Sequence, residues 1–216
     1  MTTEIRHSFG TRENPRAGLD PALWERLRPR WRQVHGIAVA RVAAPGQECG
    51  EVDALWTSEP ALPIAVVTAD CVPVLLERRD RSAVAAIHAG WRGTQARILE
   101  AFFGALPPEF SGPENWTARI GPCIRACCYE VSPGLIDDFA AVFTGLSRGR
   151  IEPVARRLDL AAVNRFELER LGVEEVTEHP DCTFCARSGK EHRYYSYRRG
   201  DRNSRQFSVI SIVSGV

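Results

Sequence analysis

The stretch "TADCVPVLLERRDRSAVAAIHAGWRGT", residues 68–94, holds two apolar runs separated by a short polar turn. Residues 72–77 and 82–88 have strand composition, and the Arg-Arg-Asp-Arg between them (78–81) reads as a hairpin connection. A turn centred there sets Glu77 opposite Ser82 and, stepping outwards, Cys71 opposite His88. Facing residues of an antiparallel pair carry Cβ atoms about 4.5–5.5 Å apart. That spacing suits a shared metal ion or a thiolate–imidazolium pair. A slip of one residue would send the two side chains to opposite faces.

The chain then leaves the second run through "HAGWRGT" (88–94) and is expected to enter a helix near Thr94. Gly90 and Gly93 allow close approach of the backbone to a ligand. A helix N-terminus with Arg92 beside it suits an anion. Each feature alone has a plainer reading. A Cys at a strand end is commonly a small buried hydrophobe, and a lone His after a strand is commonly structural. Their coincidence at one hairpin end, with Asp70 and Arg92 alongside, favours a functional site.

Four helices are expected: within 20–32, capped by Asp20 and stopped by Pro29; over 94–106; from Ser132-Pro133 through Phe143; and from Asp159 to Gly172. Further strands are expected at 37–42, 62–68, 117–121, 173–177, 194–197 and 207–213. "PPEFSGPENW" (107–116) and 147–157 read as polar connections too short to divide the chain. Strands and helices do not alternate regularly. The expected fold is therefore α+β, a single catalytic domain over residues 1–216, rather than a doubly wound sheet.

The 216 residues are 44 % hydrophobic and 25 % charged, with a net charge of +1. That balance gives no reason to expect a nucleic-acid or membrane partner. Lys190 is the single lysine, and the arginines are scattered rather than clustered. The N-terminal "MTTEIRHSFGTRENP" is polar, and no apolar run approaches the roughly 18 residues of a membrane span. Seven cysteines, an odd number, without an export signal point to reduced thiols and a cytoplasmic location.

The set "QVHG" (33–36), "TADCVPVLL" (68–76), "HAGWRG" (88–93), "IGPCI" (120–124), "YEV" (129–131), "CTFC" (182–185) and "YSYRR" (195–199) resembles the YfiH-type family. Its members have been called laccase-domain or multi-copper polyphenol oxidoreductase proteins, purine nucleoside phosphorylases and peptidoglycan editing factors. The likeness runs in order from about residue 33 to the C-terminus. It implies mixed β-sheets layered against helices, and a zinc (Zn2+) or copper (Cu2+) site of two His and one Cys. Carried onto this sequence, the ligands are His35, Cys71 and His88; His35 rests on the resemblance alone. The implied substrates are a purine nucleoside and phosphate, with ribose 1-phosphate and free base as products and adenosine deamination as a second activity. Asp70 is a candidate for orienting a ligand or handling a proton. Arg92, Arg12, Arg198 and Arg199 are candidates for an anionic substrate. No protein partner is required by this reading. The sequence departs from the family in a short segment before the first helix and in Ser204, where Gly commonly precedes the Arg.

Four other readings compete. A multi-copper laccase needs more imidazoles than His7, His35, His88, His179 and His192 supply beyond a three-residue site. A metal-free hydrolase would use Cys71 as nucleophile activated by His88, for instance in editing peptidoglycan precursors. "CIRACC" (123–128) and "CTFC" (182–185) together hold enough thiolates for a second zinc site, against the plainer reading of a tight turn packed on the aromatic "YYSY" segment. The "YYSYRRGDRNSR" run resembles a nucleic-acid binding pattern, but the neutral charge favours a strand and polar turn.

Overall fold

The computed structural model describes residues 3–214. In chain order the elements begin β1 (Thr3–Phe9), α1 (Pro21–Leu27), β2 (Arg30–Arg32), β3 (Val39–Arg41), β4 (Glu48–Glu51) and β5 (Ala54–Thr57). They continue with β6 (Ile64–Thr68), β7 (Val72–Arg78), β8 (Val84–Ala89), α2 (Trp91–Gln95), α3 (Ile98–Ala105) and β9 (Trp116–Ile120). The last are α4 (Pro133–Val142), α5 (Arg148–Ile151), α6 (Leu160–Leu171), β10 (Glu175–Glu178), β11 (Arg187–Ser188), β12 (Glu191–His192) and β13 (Gln206–Ser214).

The hairpin β7–β8 is the centre of a six-stranded mixed sheet ordered β10-β9-β7-β8-β5-β3. Its strands are buried on both faces, which is why they read as continuous apolar runs rather than alternating ones. Val72, Val74 and Leu76 join Ala85 and Ile87 on the face that packs against Ile98, Phe102, Val163 and Leu168 of the helices. Leu75, Val84 and Ala86 turn the other way, onto Ile64, Val66, Ile210 and Ile212. Those last four residues belong to a second sheet, ordered β1-β13-β6. Helices, large sheet and small sheet form three layers, so the α+β expectation and the layering both hold.

The hairpin register differs from the expectation. Glu77 pairs with Val84, not Ser82, and His88 pairs with Pro73. Asp80 causes the shift: its carboxylate accepts from the Ser82 N–H at 3.0 Å and the Ser82 hydroxyl at 2.6 Å. Arg81 adopts φ 62°, and the connection becomes residues 79–82. Because the displacement is two residues, every side chain keeps its face. Cys71 and His88 are diagonal neighbours instead of direct ones.

Asp20, Ser132 and Asp159 cap their helices as expected, accepting from the N–H groups of Leu23, Leu135 and Ala162. The helix expected over 94–106 is two helices. Arg97 breaks it with a left-handed φ of 60°, and its guanidinium donates to the Glu167 carboxylate and the Val142 carbonyl. Residues 194–197 are not a strand. They form a loop in which the Tyr194 hydroxyl donates to Asp181 and the Tyr195 backbone is held by Gln206. Among the described residues no helix is long and apolar enough to cross a membrane.

Candidate metal centre

His88 is the penultimate residue of β8 and is buried. Cys71 precedes β7, directly after Asp70, whose φ of 97° turns the chain into the strand. His35 lies in the loop between β2 and β3 with a left-handed φ of 62°. The ligating atoms of His35, Cys71 and His88 all fall within 4.8 Å of one another. Cys71 Sγ is 3.9 Å from His35 Nε2. A tetrahedral ion with ordinary zinc–sulfur and zinc–nitrogen bonds would set such a pair about 3.6 Å apart. The two imidazoles stand nearly perpendicular, at 78°, with centroids 4.8 Å apart.

Two side chains hold the His35 loop in place. Gln33 pairs with the backbone of Val67 in β6, donating from Nε2 to its carbonyl and accepting from its N–H, both at 2.8 Å. Asp53, buried beside β5, receives the N–H groups of Val34 at 3.1 Å, His35 at 3.0 Å and Gly36 at 2.7 Å. The same carboxylate lies 2.7 Å from His88 Nδ1. With that nitrogen donating to Asp53, Nε2 is left as the ligand atom, the outer-shell arrangement usual for metal-bound histidine. Burial opposes the Asp53 charge, but the His88 hydrogen bond and the loop N–H groups win and hold its pKa below the ordinary value.

Two glycines clear the space. A Cβ on Gly90 would stand 2.9 Å from His35 Cδ2, 3.3 Å from Cys71 Sγ and 3.6 Å from His88 Cε1. A Cβ on Gly93 would meet the Gly36 carbonyl at 2.9 Å. The first glycine leaves room among the three donors; the second lets α2 seat against the His35 loop. The donor set, the open cradle and the Asp53–His88 bond all fit a bound metal ion.

The electrostatics are those of a polarised thiol. Burial opposes ionisation of Cys71, but the His88 charge and hydrogen bonds from both imidazoles bring its pKa down to about 6. Burial likewise opposes the His88 cation, while the Cys71 thiolate and Asp53 raise it to about 9. Tyr129 moves the other way, to about 12, through burial and the charge on Cys71, so its phenol stays protonated. Tyr129 also lines an open groove of about 470 Å³ together with Trp91, Ser132, Leu135 and Arg198.

The remaining expected residues separate into two groups. Arg92 is exposed and stacks at 4.4 Å over Trp91, itself a residue of the groove wall. Arg198 lies over the Tyr129 ring at 5.2 Å, with Nη1 donating to the Glu130 carbonyl. By contrast, Arg12 Nη2 donates to both oxygens of Asp201, at 2.8 Å each. Arg199 is spent on the Thr183 and Phe184 carbonyls and on Asp201. These two guanidinium groups are engaged in building the C-terminal loop. Asp70 accepts from Thr183 Oγ1 at 2.7 Å, Ser196 Oγ at 3.0 Å and the Arg198 N–H at 2.8 Å. Three of its roughly four acceptor sites are taken by the protein, which makes it a positioning residue. The expected anion site on the helix after Gly90 shrinks too, since α2 has only five residues.

Asp53, Gln33 and Tyr129 escaped the sequence reading as site residues. Asp53 carried a signal: an acid inside "VDALW", an otherwise apolar strand, must be paired if it is buried.

Known proteins resemble this chain in sequence and in fold. Residues 21–213 match the family model described as multi-copper polyphenol oxidoreductase laccase. A Streptomyces coelicolor protein called a purine nucleoside phosphorylase is 38 % identical over 194 residues, covering 84 % of this chain and 72 % of its own. One from Deinococcus radiodurans with the same name is 37 % identical, covering 85 % and 69 %. Among solved structures, YlmD from Geobacillus stearothermophilus superposes with a TM-score of 0.75 at 26 % identity, covering 99 % of this chain and 92 % of its own. The YfiH protein of Bacillus licheniformis gives 0.72 at 30 % identity, covering 84 % and 73 %. With its fold, its motifs and nearly its whole described length matched, the chain belongs to the multi-copper polyphenol oxidoreductase laccase family, the YfiH-type proteins.

Proposed function

We propose that this chain is a zinc-dependent purine nucleoside phosphorylase acting as one catalytic domain, with adenosine deamination as a secondary activity. The observation that carries the reading is the convergence of His35, Cys71 and His88, together with Tyr129, whose phenol senses the charge on Cys71 and which lines a groove of aromatic and cationic side chains. The names of the relatives support the substrate class. Two imidazoles and a thiolate would hold zinc with one position open, supplying a Lewis acid at the groove.

The chain's own groups account for the rest. Asp53 fixes the His88 tautomer and, through the same carboxylate, the position of His35. Trp91 and Tyr129 offer faces for a purine. Arg92 and Arg198 offer guanidinium groups for phosphate, which is recognised through charge-assisted hydrogen bonds. In the reaction a phosphate oxygen bonds to C1′ of the ribose while the C1′–N9 bond breaks. Its electron pair departs with the base, which takes up a proton. The Tyr129 phenol, held protonated by burial and by the charge on Cys71, is the candidate donor of that proton. In deamination, water replaces the 6-amino group and ammonia leaves.

A second reading draws on the lowered Cys71 thiol. Cys71, His88 and Asp53 in sequence resemble a nucleophile, base and orienting acid, the arrangement of a metal-free cysteine hydrolase. His35 counts against it. A triad needs one imidazole, yet a second is held at the same sulfur by a loop anchored on both Gln33 and Asp53.

The test is to incubate zinc-loaded protein with adenosine or inosine, with and without phosphate, and to identify the products. Ribose 1-phosphate formed only when phosphate is present is the expected result. No turnover of either nucleoside refutes the proposal, and cleavage of muropeptide precursors by the zinc-free protein selects the hydrolase.

A further inference from the structure

Outside the centre just described, five cysteines lie in two loops, residues 123–128 after β9 and 182–185 after β10. The structure sorts them. Cys127, Cys128, Cys182 and Cys185 bring their sulfurs within 4.8 Å of one another. Cys123 stands apart, buried, with burial pushing its thiol up to about 12 and Arg125 as its polar neighbour. All seven cysteines are free thiols.

We propose that Cys127, Cys128, Cys182 and Cys185 form a second metal site, a closed four-thiolate zinc centre whose role is structural. The Sγ atoms of Cys127 and Cys185 are 3.8 Å apart. Two thiolates on a tetrahedral zinc, with bonds of about 2.3 Å, stand about 3.8 Å apart. A disulfide would need about 2.05 Å, so the sulfurs sit at coordination distance rather than bonding distance. Mutual separations this short fit one ion. An iron–sulfur cluster with two or more metals would spread its thiolates further.

The backbone around Cys182 is arranged for a thiolate. The Arg125 N–H donates to Cys182 Sγ at 3.4 Å, reaching across from the other loop. Phe184 and Cys185 sit in the tight turn that follows Cys182. The Ala186 N–H closes that turn on the Cys182 carbonyl at 2.9 Å. The opposite half is likewise a turn, with the N–H groups of Cys128 and Tyr129 on the Arg125 carbonyl. Two knuckles, each contributing two sulfurs, face each other across the backbone β-bridge between Cys123 and Cys182.

The location gives the ion a purpose. Thr183 lies between two of the ligands and donates to Asp70, the residue before Cys71. Tyr129 follows a third ligand and lines the groove. Ile124, in the same loop, donates to the Asp70 carbonyl at 2.9 Å. One ion would therefore lock together the two loops that hold Asp70 and Tyr129 around the first centre. With four thiolates it has no open position, so it takes no substrate.

The decisive protein is the Cys71→Ser/His88→Ala variant, which lacks the first centre and keeps every ligand of the second. Prepared with reductant and zinc and then gel-filtered, it is expected to retain one zinc per chain, and X-ray absorption should give a sulfur-only shell at about 2.3 Å. Cobalt in place of zinc should give intense thiolate-to-metal charge transfer although Cys71 is gone. Adding Cys127→Ser and Cys185→Ser, both at exposed positions, should abolish retention. As a control independent of those substitutions, zinc should protect the four thiols of the intact chain from alkylation, read by peptide mass spectrometry. A variant that binds no zinc with its four thiols reduced overturns the proposal. So does a disulfide among them that persists in reductant, or bound iron in place of zinc.

Discussion

Replacing Asp53 with Asn keeps the shape of the side chain and removes its charge and half of its acceptor capacity. In the native site Oδ1 receives His35 N–H and His88 Nδ1, and Oδ2 receives Val34 N–H and Gly36 N–H. An amide presents one oxygen and one NH2 group, so one of these donor pairs must face another donor. If the NH2 faces Val34 and Gly36, the His35 loop loses its anchor. If it faces His88, the imidazole must switch tautomer, and its Nε2 becomes protonated where a metal would bind. Each buried donor left unpaired costs about 1–3 kcal/mol, and losing an outer-shell partner weakens metal binding by about 10–100-fold. The expected outcome is a fall of that size in zinc affinity, measured by chelator competition. It should be accompanied by a change in the His88 ring-nitrogen shifts in NMR and a lower melting temperature. Unchanged zinc affinity together with an unchanged His88 tautomer would refute the reasoning.

The other predictions concern the same pocket. Gly90→Ala places a methyl group among His35, Cys71 and His88 and should abolish zinc binding at the first centre while circular dichroism stays native. In zinc-free protein the Cys71 thiolate is present above about pH 6 and lost below it, because its folded pKa is depressed; the alkylation rate at Cys71 should show that midpoint, moved up by at least one pH unit in His88→Ala. Zinc binding displaces the proton that His88 holds up to about pH 9, so affinity should rise with pH through neutrality, seen as proton release in calorimetry. Arg92→Ala should raise KM for phosphate about tenfold, the loss of one charge-assisted contact, with zinc content unchanged. Arg12→Ala should leave that KM alone and cost about 1 kcal/mol of stability, since its guanidinium is committed to Asp201.

The parts of the fold that could be read from sequence are those governed by local chemistry. Asp20, Ser132 and Asp159 announce helix starts because a short acceptor side chain before an apolar repeat satisfies free N–H groups. The β7 and β8 runs announce a central hairpin because both faces are buried. What escaped is governed by partners distant in sequence. The break at Arg97 is paired with Glu167, seventy residues on. The residues 194–197 have strand composition, but Asp181, Gln206 and Asp70 capture their polar groups and bend them into a loop. The hairpin register turned on one local detail, the Asp80 side chain closing the turn on Ser82.

The site divides along the same line. Cys71 and His88 are joined by a hairpin, so their proximity follows from strand pairing even when the register is displaced by two. His35 reaches them through a loop whose position depends on Val67 and Asp53, contacts with no periodic trace in the sequence. Asp53 serves both halves at once. It holds the loop that carries His35 and orients the ring of His88 with a single carboxylate. This coupling has a physical consequence. Asp53→Ala removes all four contacts at once, so its effects on His35 placement and His88 tautomer should appear together, whereas the amide of Asp53→Asn gives up one donor pair and can keep the other. Substituting Gln33, which ties the loop to Val67 of β6, should loosen His35 and leave the His88 ring nitrogens unchanged.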